Sequence, residues 1–599
     1  MTTATPRRQA RLRAPELVGR GGWIGTGGRE LRLADLRGKV VLLDFWTFCC
    51  LNCLHVLDEL RALEEEFADV LVVVGVHSPK FVHEADHGAV IAAVERYDVA
   101  HPVLDDPDLT TWQAYAVKAW PTLALVDPEG YVVAQLSGEG HAHALRRILA
   151  ELVAEHEAKG TLHRGSGPYV PPPPPETELR FPGKVLALPG GTFLVSDSGN
   201  SSLVELAADA ETVLRRIGAG ARGLVDGGPD EAQFSEPQGL CLLPPPVAGR
   251  VGYDVLVADT VNHALRGVEL STSRVRTLLT SEQYDGAPWS PWDVIWDEGA
   301  QRAVLALAGT HQVGIFDPAD GSLRIGGTSN EGLRDGPLAE AWFAQPSGLA
   351  ADGEVSWLVD AETSAVRRIR AGRVETMIGQ GLFDFGHRDG PAAAALLQHP
   401  LGVCVLPDGS VAVLDTYNGA VRRYDSATEQ VSTLATDLAE PSDAVVVAGD
   451  LLVVESAAHR LTRLRLPEQA RRVDGHASRT QRPPSEVGPG AVRLEVVFEP
   501  PPGSHLDERY GPATRLLVTA TPPQLLRAGE GTGSDLTRDL VLDPDVGDGV
   551  LHVAAMAASC DEVGEFPACH VHRQDWGVPV RLVPGGTGRL TLVLQGPAP

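Results

Sequence analysis

The first part of the chain alternates apolar runs with segments of helical periodicity. Val40–Trp46 and Val70–Val76 are almost wholly apolar, the pattern of strands buried on both faces. Between these runs leucine recurs every three residues from Leu54 to Leu63, which is the spacing of one helix face. Further along, the pattern predicts a helix over Ile91–Arg96, a strand over Thr122–Val126 and hairpin strands after it. Residues 15–158 are therefore expected to form an α/β domain.

The middle of the chain repeats itself. Short β-rich runs end in similar polar turns, and successive copies begin about 40 to 62 residues apart. Several copies are preceded by Phe-x-x-Pro-x-Gly, as at Phe234–Gly239 and Phe343–Gly348. This period predicts a β-propeller over residues 179–467, and six copies predict six blades. The copies are Ser196–Asn200, Ala258–His263, Ala308–His311, Val359–Thr363, Leu414–Asn418 and Val454–His459.

The last part alternates apolar and polar residues with a period of two. Val492–Val496 and Leu590–Leu594 are examples, separated by clusters of Pro, Gly and Asp. The pattern predicts a small antiparallel β-sandwich over residues 490–599. Residues 159–178, with five consecutive prolines, and the polar residues 468–489 are predicted to be linkers. The expected fold class is thus multidomain, α/β plus all-β.

Length, charge and hydropathy narrow the function classes. The 599 residues carry a net charge of −28, which disfavours binding to a phosphate backbone and makes nucleic acid an unexpected partner. No apolar run is long enough to span a membrane, and no apolar stretch of a secretory signal follows the polar first 14 residues. We therefore expect a cytoplasmic location and no membrane partner.

A cysteine cluster follows the first apolar run. Cys50 and Cys53 are separated by two residues where a strand passes into a helix, so Cys50 is expected at the helix N-terminus. The unpaired N–H groups and the dipole there stabilise a thiolate. Cys50 is therefore the predicted nucleophile, and Cys53, one turn on, the predicted resolving thiol. Cys49 leaves a reaction or a bridge through that thiol open as an alternative.

Two further features make this segment resemble a thioredoxin. Trp120-Pro121 precedes a strand where thioredoxins keep a cis-proline facing the cysteine pair, and Asp44 matches their buried carboxylate, which assists deprotonation of the resolving thiol. Residues 33–41 look like the TlpA-like branch. The resemblance implies a thioredoxin-like fold with catalytic roles for Cys50, Cys53, Pro121 and Asp44. The sequence departs from the usual motif, because Cys49 replaces a Trp and Leu51-Asn52 replaces Gly-Pro.

A second cysteine pair lies near the C-terminus. Cys560 and Cys569 flank a loop between two β-rich runs, where a disulfide is sterically reasonable. The pattern is similar to the immunoglobulin-like domain of DsbD-type thiol:disulfide interchange proteins, which implies exchange with Cys50 and Cys53. The alternatives are a structural or idle pair, or a metal site with His570 and His572, although those histidines are expected to face away from Cys569.

Zinc at the first cluster is disfavoured because a structural site needs four ligands. No metal and no cofactor are expected.

The repeats resemble NHL repeats. The resemblance rests on Val-Ala-Asp259-Thr-x-Asn262-His263 followed by Arg266, with Pro-x-Gly upstream. Because Asp, Asn and Arg recur once per copy, a structural role is predicted for them. The histidines of the repeats, which a metal-dependent lyase would need, show no common position in the repeat. The three-part order resembles the family typified by NHL repeat-containing protein 2, which carries a Cys-Cys-x-Asn-Cys motif matching Cys49–Cys53.

The leading functional hypothesis is a cytoplasmic thiol:disulfide oxidoreductase acting on a protein or peroxide substrate. The expected partner is a protein thiol or disulfide, bound through the propeller face. The rival is an interaction scaffold whose thioredoxin-like domain is not catalytic. A third hypothesis is a propeller enzyme to which the thioredoxin-like domain is an accessory.

Overall fold

The computed structural model describes residues 12–173, 177–284, 286–466, 472–479, 482–506, 511–561 and 569–596. The chain divides into two compact units. One contains residues 1–173 together with 481–599, and the other contains residues 174–480. None of the helices in the described ranges is both long and apolar enough to cross a membrane.

The first part of the chain forms a mixed sheet flanked by helices. The buried run Val40–Trp46 is the central strand β3, parallel to β4 and antiparallel to β6. The first helix packs its leucines on this sheet, as the leucine spacing predicts. Strand order is β2-β5-β4-β3-β6-β7, and β1 pairs with β7. The elements are β1 (Leu12–Arg13), β2 (Gly22–Ile24), β3 (Val40–Trp46), α1 (Leu51–Glu66), β4 (Leu71–His77), α2 (His87–Arg96), β5 (Val103–Asp105), α3 (Thr110–Ala114), β6 (Thr122–Val126), β7 (Tyr131–Ser137) and α4 (Ala142–Lys159).

The described part of the first predicted linker contains no helix or strand beyond the last residue of α4, but it is packed against the domain before it. Tyr169 donates its hydroxyl hydrogen to the carbonyl of Val99, and the Val170 N–H donates to the carbonyl of Gly25. Pro174 and Pro175 of the proline run lie outside the described residues. Residues 160–173 therefore extend the thioredoxin-like part rather than stand apart from it.

The second unit is built from small antiparallel sheets that follow one another along the chain. Six of the described sheets contain three to five strands each, and a further sheet has two. Between β12 and β13 lies α5 (Pro245–Val251). In sheet order the strands are β8 (Val185–Ala187), β9 (Phe193–Asp197), β10 (Ser202–Leu206) and β11 (Val213–Ile217); β12 (Pro237–Leu242), β13 (Val255–Asp259), β14 (Ala264–Glu269) and β15 (Arg274–Thr280); β16 (Pro291–Asp297), β17 (Arg302–Leu307), β18 (Gln312–Asp317) and β19 (Ser322–Gly326); β20 (Gly336–Pro337), β21 (Pro346–Asp352), β22 (Val355–Asp360), β23 (Ala365–Arg370) and β24 (Arg373–Ile378); β25 (Asp384–Arg388) with β34 (Asp474–Arg479); β26 (Gly390–Pro391), β27 (Gly402–Val405), β28 (Val411–Asp415), β29 (Ala420–Asp425) and β30 (Gln430–Ala435); and β31 (Pro441–Val447), β32 (Asp450–Glu455) and β33 (Arg460–Leu464).

The recurring Pro-x-Gly glycines lie where neighbouring sheets approach most closely. A Cβ added at Gly239 would lie 2.4 Å from Cα of Asp293 in the next sheet. At Gly402 it would lie 2.5 Å from the carbonyl oxygen of Ser442. Real Cβ atoms do not approach backbone this closely, so only glycine allows the inner strands to meet. The first and last large sheets also share one apolar cluster, which includes Val185 and Val454. The unit is therefore propeller-like.

A side chain at a repeated position links each of several sheets to the next. His263 Nδ1 accepts from the N–H of Ser290, His311 Nδ1 from Gln345, and His459 Nδ1 from Phe181. The last bond joins the final large sheet back to the start of the first. All three histidines have left-handed backbone, with φ of 48°, 55° and 57°. These histidines therefore do share a repeat position, contrary to the sequence expectation, because each is the fifth residue counted from the turn residue Asp259, Leu307 or Glu455.

The C-terminal part has two sheets, and one of them continues the thioredoxin-like sheet. β44 pairs with β7, which extends the order to β7-β44-β36-β41-β39. The other sheet has the order β35-β43-β42-β38-β40, with β37 also on β42. The elements are β35 (Ser485–Val487), β36 (Gly490–Phe498), β37 (Ser504–Leu506), β38 (Thr514–Thr521), β39 (Leu526–Ala528), β40 (Gly531–Gly533), β41 (Thr537–Leu542), β42 (Asp548–Asp561), β43 (Cys569–Leu582) and β44 (Arg589–Gly596).

Two features of this region differ from the sequence expectation. The sheets are mixed rather than antiparallel, since β36 is parallel to β44 and β35 is parallel to β43. Alternation along a strand specifies which face is buried but not the direction of its neighbour. In addition, the predicted linker 468–489 contains β34 and β35, because strands distant in sequence supply pairing partners that its polar composition does not indicate.

Candidate functional site

The cysteine cluster lies at the start of α1, as the sequence predicts. Cys50 is the N-cap residue of this 16-residue helix, and the first turn has no acidic side chain. The loop before it is held by the buried carboxylate of Glu84, which accepts from the Cys49 N–H at 2.9 Å and the Thr47 hydroxyl at 2.6 Å. The helix dipole therefore acts on Cys50 without competition from a neighbouring carboxylate in the turn.

Cys50 and Cys53 interact directly and both are buried. Cys50 is 7% exposed and Cys53 is 0% exposed. Burial, followed by the side-chain hydrogen bond with Cys50, raises the pKa of Cys53 well above its usual value. Cys49, Cys50 and Cys53 are thiols rather than members of a disulfide. The pair thus consists of a thiol at the helix N-cap and an inner thiol whose burial favours the protonated form.

Asp44 lies under this pair in β3. Its side chain is 0% exposed, and neither carboxylate oxygen has a hydrogen-bond partner in the described part of the chain. Burial, with Glu64 and Glu59 adding to it, raises the pKa of Asp44 well above its usual value. Because no hydrogen bond holds this carboxyl group, it can release its proton and then accept another. Its position in β3 suits proton exchange with Cys53.

Pro121 forms a cis peptide bond with Trp120. In the β3–β6 ladder Phe45 pairs with Thr122, so Pro121 and the loop that leads to Cys50 emerge at the same end of the sheet. Trp120 packs on Trp112 with ring centroids 4.3 Å apart. The sheet thus brings Pro121, which is distant in sequence, to the end where the elements bearing Asp44, Cys50 and Cys53 meet.

The C-terminal part covers the loop before Pro121. The Gln574 side-chain amide donates to the carbonyl of Trp120 at 3.4 Å, and the Arg482 guanidinium lies 4.8 Å from the Trp120 ring centroid. Ala119 is buried within the apolar cluster of the C-terminal strands. The Trp120 carbonyl, next to the cis-proline, is therefore already bonded and covered by the C-terminal part.

The second cysteine pair lies on the long β42–β43 hairpin. Cys560 is disulfide-bonded and 4% exposed, and Cys569 is the residue opposite it in the ladder. The side chain of Cys569 lies outside the described part of the chain. Ser559, the residue before Cys560, bonds His572, whose ring stacks on His141 of the thioredoxin-like part. Because side chains alternate along a strand, Cys560 is on the opposite face of the hairpin.

A central cavity in the second unit contains charged groups that the sequence analysis missed. It measures about 460 Å³ and is lined by residues of β8, β12, β16, β21, β27 and β31. Lys184 lies 3.2 Å from Asp293 and 4.0 Å from Asp443, and its ammonium donates to the carbonyl of Leu401 at 2.7 Å. The only signal in the sequence is that these residues break the repeat.

Comparison with known proteins agrees with both halves of this description. The family model described as thioredoxin-like matches residues 38–132, and the model described as NHL repeat matches residues 397–424. The chain thus combines a thioredoxin-like domain with an NHL-repeat domain. It is 34% identical to NHL repeat-containing protein 2 of Gallus gallus over 479 residues, or 72% of this chain and 64% of that protein. The resemblance inferred from the motifs is confirmed.

Two other relatives cover different shares of the chain. Protein SUPPRESSOR OF QUENCHING 1, chloroplastic, of Arabidopsis thaliana is 35% identical over 464 residues, or 72% of this chain and 43% of that protein. The chain therefore spans less than two thirds of the length of either long relative. Thiol-disulfide oxidoreductase YkuV of Bacillus subtilis is 25% identical over 144 residues, or 24% of this chain and 95% of that protein.

Proposed function

We propose that the chain is a cytoplasmic thiol:disulfide oxidoreductase with Cys50 as nucleophile and Cys53 as resolving thiol. The observation that carries the proposal is the pairing of an N-cap thiol with a fully buried thiol one turn later, above an unpartnered carboxyl group. The relative YkuV is a thiol-disulfide oxidoreductase by name, which supports the same reaction class.

In this reaction the Cys50 thiolate attacks one sulfur of a substrate disulfide. A mixed disulfide forms and the other substrate sulfur leaves as a thiolate. Asp44 first releases its carboxyl proton to solvent. The resulting carboxylate takes the proton of Cys53, and the Cys53 thiolate attacks the Cys50 sulfur. The products are a Cys50–Cys53 disulfide and a second substrate thiolate, so two electrons pass to the substrate. An external dithiol then reduces the pair for the next cycle.

We further infer the finer architecture that would serve this reaction. The six sheets of three or more strands are taken as six blades of a closed propeller, because their inner strands line one cavity and His459 links the last sheet to the first. The two C-terminal sheets are taken as a β-sandwich around one apolar cluster. The propeller face would bind the protein whose thiols exchange with Cys50.

The test is reduction of a model disulfide by the full chain with a dithiol donor. We expect the parent to be active and both Cys50→Ser and Cys53→Ser to be inactive. Cys241→Ser is the matched control, since burial raises the pKa of this free thiol to about 12 and it lies in the propeller. Alkylation against pH should show one thiol reacting near neutral pH. A parent without such a thiol would rule out the enzyme.

The rival function is a non-catalytic interaction scaffold. The observation that favours it is the covered Trp120 carbonyl, together with the low exposure of Cys50. If the scaffold is the true function, Cys50→Ser recovers the same partners from cells and restores the same phenotype as the parent. If Cys50→Ser loses the partners or the phenotype while Cys241→Ser keeps both, a purely non-catalytic scaffold is excluded.

Exchange between the two cysteine pairs remains part of the proposal. Direct contact between the two pairs is disfavoured. Ser559 and His572 are on the hairpin face that meets the thioredoxin-like part, and Cys560 is on the opposite face. Exchange would therefore require the hairpin to move. Mass spectrometry of disulfides at controlled redox potential tests this: a Cys560 bridge that titrates together with Cys50–Cys53 supports exchange, and independent titration removes it.

A further inference from the structure

Two histidines and an aspartate converge between α4 and the β42–β43 hairpin. His143 lies in the first turn of α4, Asp561 ends β42, and His570 is near the start of β43. Their candidate ligand atoms all lie within 4.8 Å of one another. The two imidazole rings are stacked, with centroids 4.5 Å apart and planes 14° apart. Polar atoms of three side chains from three elements therefore lie close together.

The distances in this cluster do not fit ordinary hydrogen bonds. His143 Nε2 is 3.4 Å from one Asp561 oxygen, and His570 Nε2 is 3.7 Å from the other. Charge-assisted N–H···O bonds are about 2.7 to 2.9 Å long. Both Nε2 atoms are inaccessible to solvent and have no hydrogen-bond partner among the described residues. A buried imidazole nitrogen left without a partner carries a desolvation cost, which indicates that another group completes the site.

The same distances do fit the ligands of a tetrahedral metal ion. Ligand atoms about 2.1 Å from zinc and at tetrahedral angles lie about 3.4 Å apart, whereas right angles would bring them to about 3.0 Å. The separations of 3.4 and 3.7 Å therefore favour tetrahedral over octahedral coordination. Two imidazoles and a carboxylate form a donor set that zinc prefers, with a fourth position left for water.

The charges around the cluster act in both directions. The carboxylate of Asp561, between the two histidines, favours a cation. Arg147 lies 3.5 Å from Asp561 and opposes a cation. The same guanidinium bonds Ser504 at 2.8 Å, and the Ser504 hydroxyl is 3.5 Å from Asp561. These contacts orient the Asp561 carboxylate towards the histidines, but the positive charge of Arg147 lowers the affinity of the cluster for a cation.

A second cluster of the same residue types is a weaker candidate. Asp127, Glu129 and His156 also converge, but Asp127 already accepts from the Tyr131 N–H at 2.9 Å. His156 Nδ1 is bonded to the Thr161 hydroxyl at 2.8 Å, and its Nε2 is 3.9 Å from Asp127. This cluster therefore serves as an internal control.

We propose that His143, Asp561 and His570 bind one zinc ion with water as the fourth ligand. Because the ligands come from α4 and from both strands of the hairpin, the ion fastens the C-terminal hairpin to the thioredoxin-like part. The site is independent of the redox reaction.

The experiment is a zinc titration of the full chain with competition by a chelator. Cys49, Cys50 and Cys53 are replaced by Ser so that their thiolates cannot bind the metal. We expect one zinc per chain, and at least about 100-fold weaker binding in His143→Ala, Asp561→Asn and His570→Ala, since even residues that merely orient ligands change affinity by 10 to 100-fold. His156→Ala should bind as the parent does.

A second readout guards against misfolded variants. Zinc should raise the thermal midpoint of the parent in proportion to the logarithm of its concentration, and this rise should vanish in the conservative variant Asp561→Asn. Circular dichroism checks that each variant is folded. The proposal is overturned if the parent binds no zinc at one equivalent, if Asp561→Asn binds and is stabilised like the parent, or if His156→Ala abolishes binding instead.

Discussion

Buried aspartates in the two units have opposite surroundings. In the propeller-like unit Asp259 is 0% exposed and accepts from the Ser235 N–H, the Asn262 amide and Arg266, at 2.7 to 2.8 Å. Asp360 and Asp415 have the same kind of arginine partner. Asp44 is equally buried, yet neither oxygen has a partner. The same residue type thus recurs in several repeats with a full set of bonds, and lies once in the thioredoxin-like part with none among the described residues.

The different surroundings indicate different roles: the propeller aspartates stabilise the fold, whereas Asp44 suits a chemical step. Burial raises the pKa of Asp259 to about 6, with Arg266 and three hydrogen bonds pulling it back down. For Asp44 the neighbouring charges are Glu64 and Glu59, so they add to the effect of burial. A carboxylate held by an arginine ties a turn to a strand. A carboxyl group without partners, beside Cys53, is a cost to the fold that a functional site explains.

The largest expected effect comes from breaking a propeller pair. Arg266→Ala should destabilise the unit by about 3 to 5 kcal/mol, because it leaves the buried charge of Asp259 without a counterion. Arg266 also donates to the carbonyls of Gln233 and Val225, and these two acceptors would lose their donor. Denaturant unfolding monitored on the full chain measures the loss.

The control is an arginine of the last large sheet. Arg460 pairs with the buried Glu455 but is 63% exposed, so Arg460→Ala should cost less than about 1 kcal/mol. Glu455 keeps its bond from the Ala439 N–H. Equal losses for Arg266→Ala and Arg460→Ala would contradict the structural role assigned to the buried pairs.

The next effect concerns Asp44. Asp44→Asn should slow resolution of the mixed disulfide on Cys50 by roughly 100-fold, the usual effect of removing a general base. Quenched-flow trapping of the mixed disulfide measures the rate. The matched variant is Asp415→Asn, which removes a propeller carboxylate and should leave this rate unchanged while lowering stability. If Asp44→Asn resolves the mixed disulfide as fast as the parent, Asp44 is not the base in this step.

The same variant has a pH signature in stability. The folded pKa of Asp44 is raised, so the native state holds a proton that the unfolded chain has already released. This contribution to stability is present below the ordinary carboxyl pKa of about 4 and is lost as pH rises through the folded pKa. Asp44→Asn should therefore gain stability relative to the parent as pH rises, measured by unfolding at several pH values.

The smallest expected effect tests the covered loop. Gln574→Ala removes the bond to the Trp120 carbonyl and should raise the reactivity of the cysteine pair toward a peptide disulfide by up to about tenfold, the equivalent of one hydrogen bond. Gln595→Ala, another buried glutamine of the same unit, is the control. A peptide rate that falls, with the control unchanged, would mean that Gln574 supports the site rather than covers it.

Much of the cysteine site could be predicted because its residues lie in two short motifs. Cys50, Cys53 and Asp44 are within ten positions, and Pro121 follows a recognisable turn before a strand. Local rules are sufficient there: an apolar run gives the strand, leucine spacing gives the helix, and the strand-to-helix transition sets the N-cap. The shared position of His263, His311 and His459 is equally local, since it follows from counting along the turn, but it was not predicted.

Other features required contacts that no local pattern records. Gln574 meets Trp120 across 454 positions, and His143 meets Asp561 and His570 across more than 400. The mixed direction of β36 and β44 likewise depends on the path of the chain between them. Such contacts follow from which apolar faces must be buried together, and that choice is made by the whole C-terminal cluster.

The sequence by itself determined the two kinds of domain, the strand and helix that carry Cys50, and the repeat that builds the propeller-like unit. These features depend on periodicity and on short-range hydrogen bonding, which neighbouring residues control. The tertiary structure decided that Asp44 has no partner while Asp259 has three, that the loop before Pro121 is covered, and that His143 faces the hairpin. The physical reason is that the surroundings of a buried charge are set by side chains from distant elements, which meet only when the core closes.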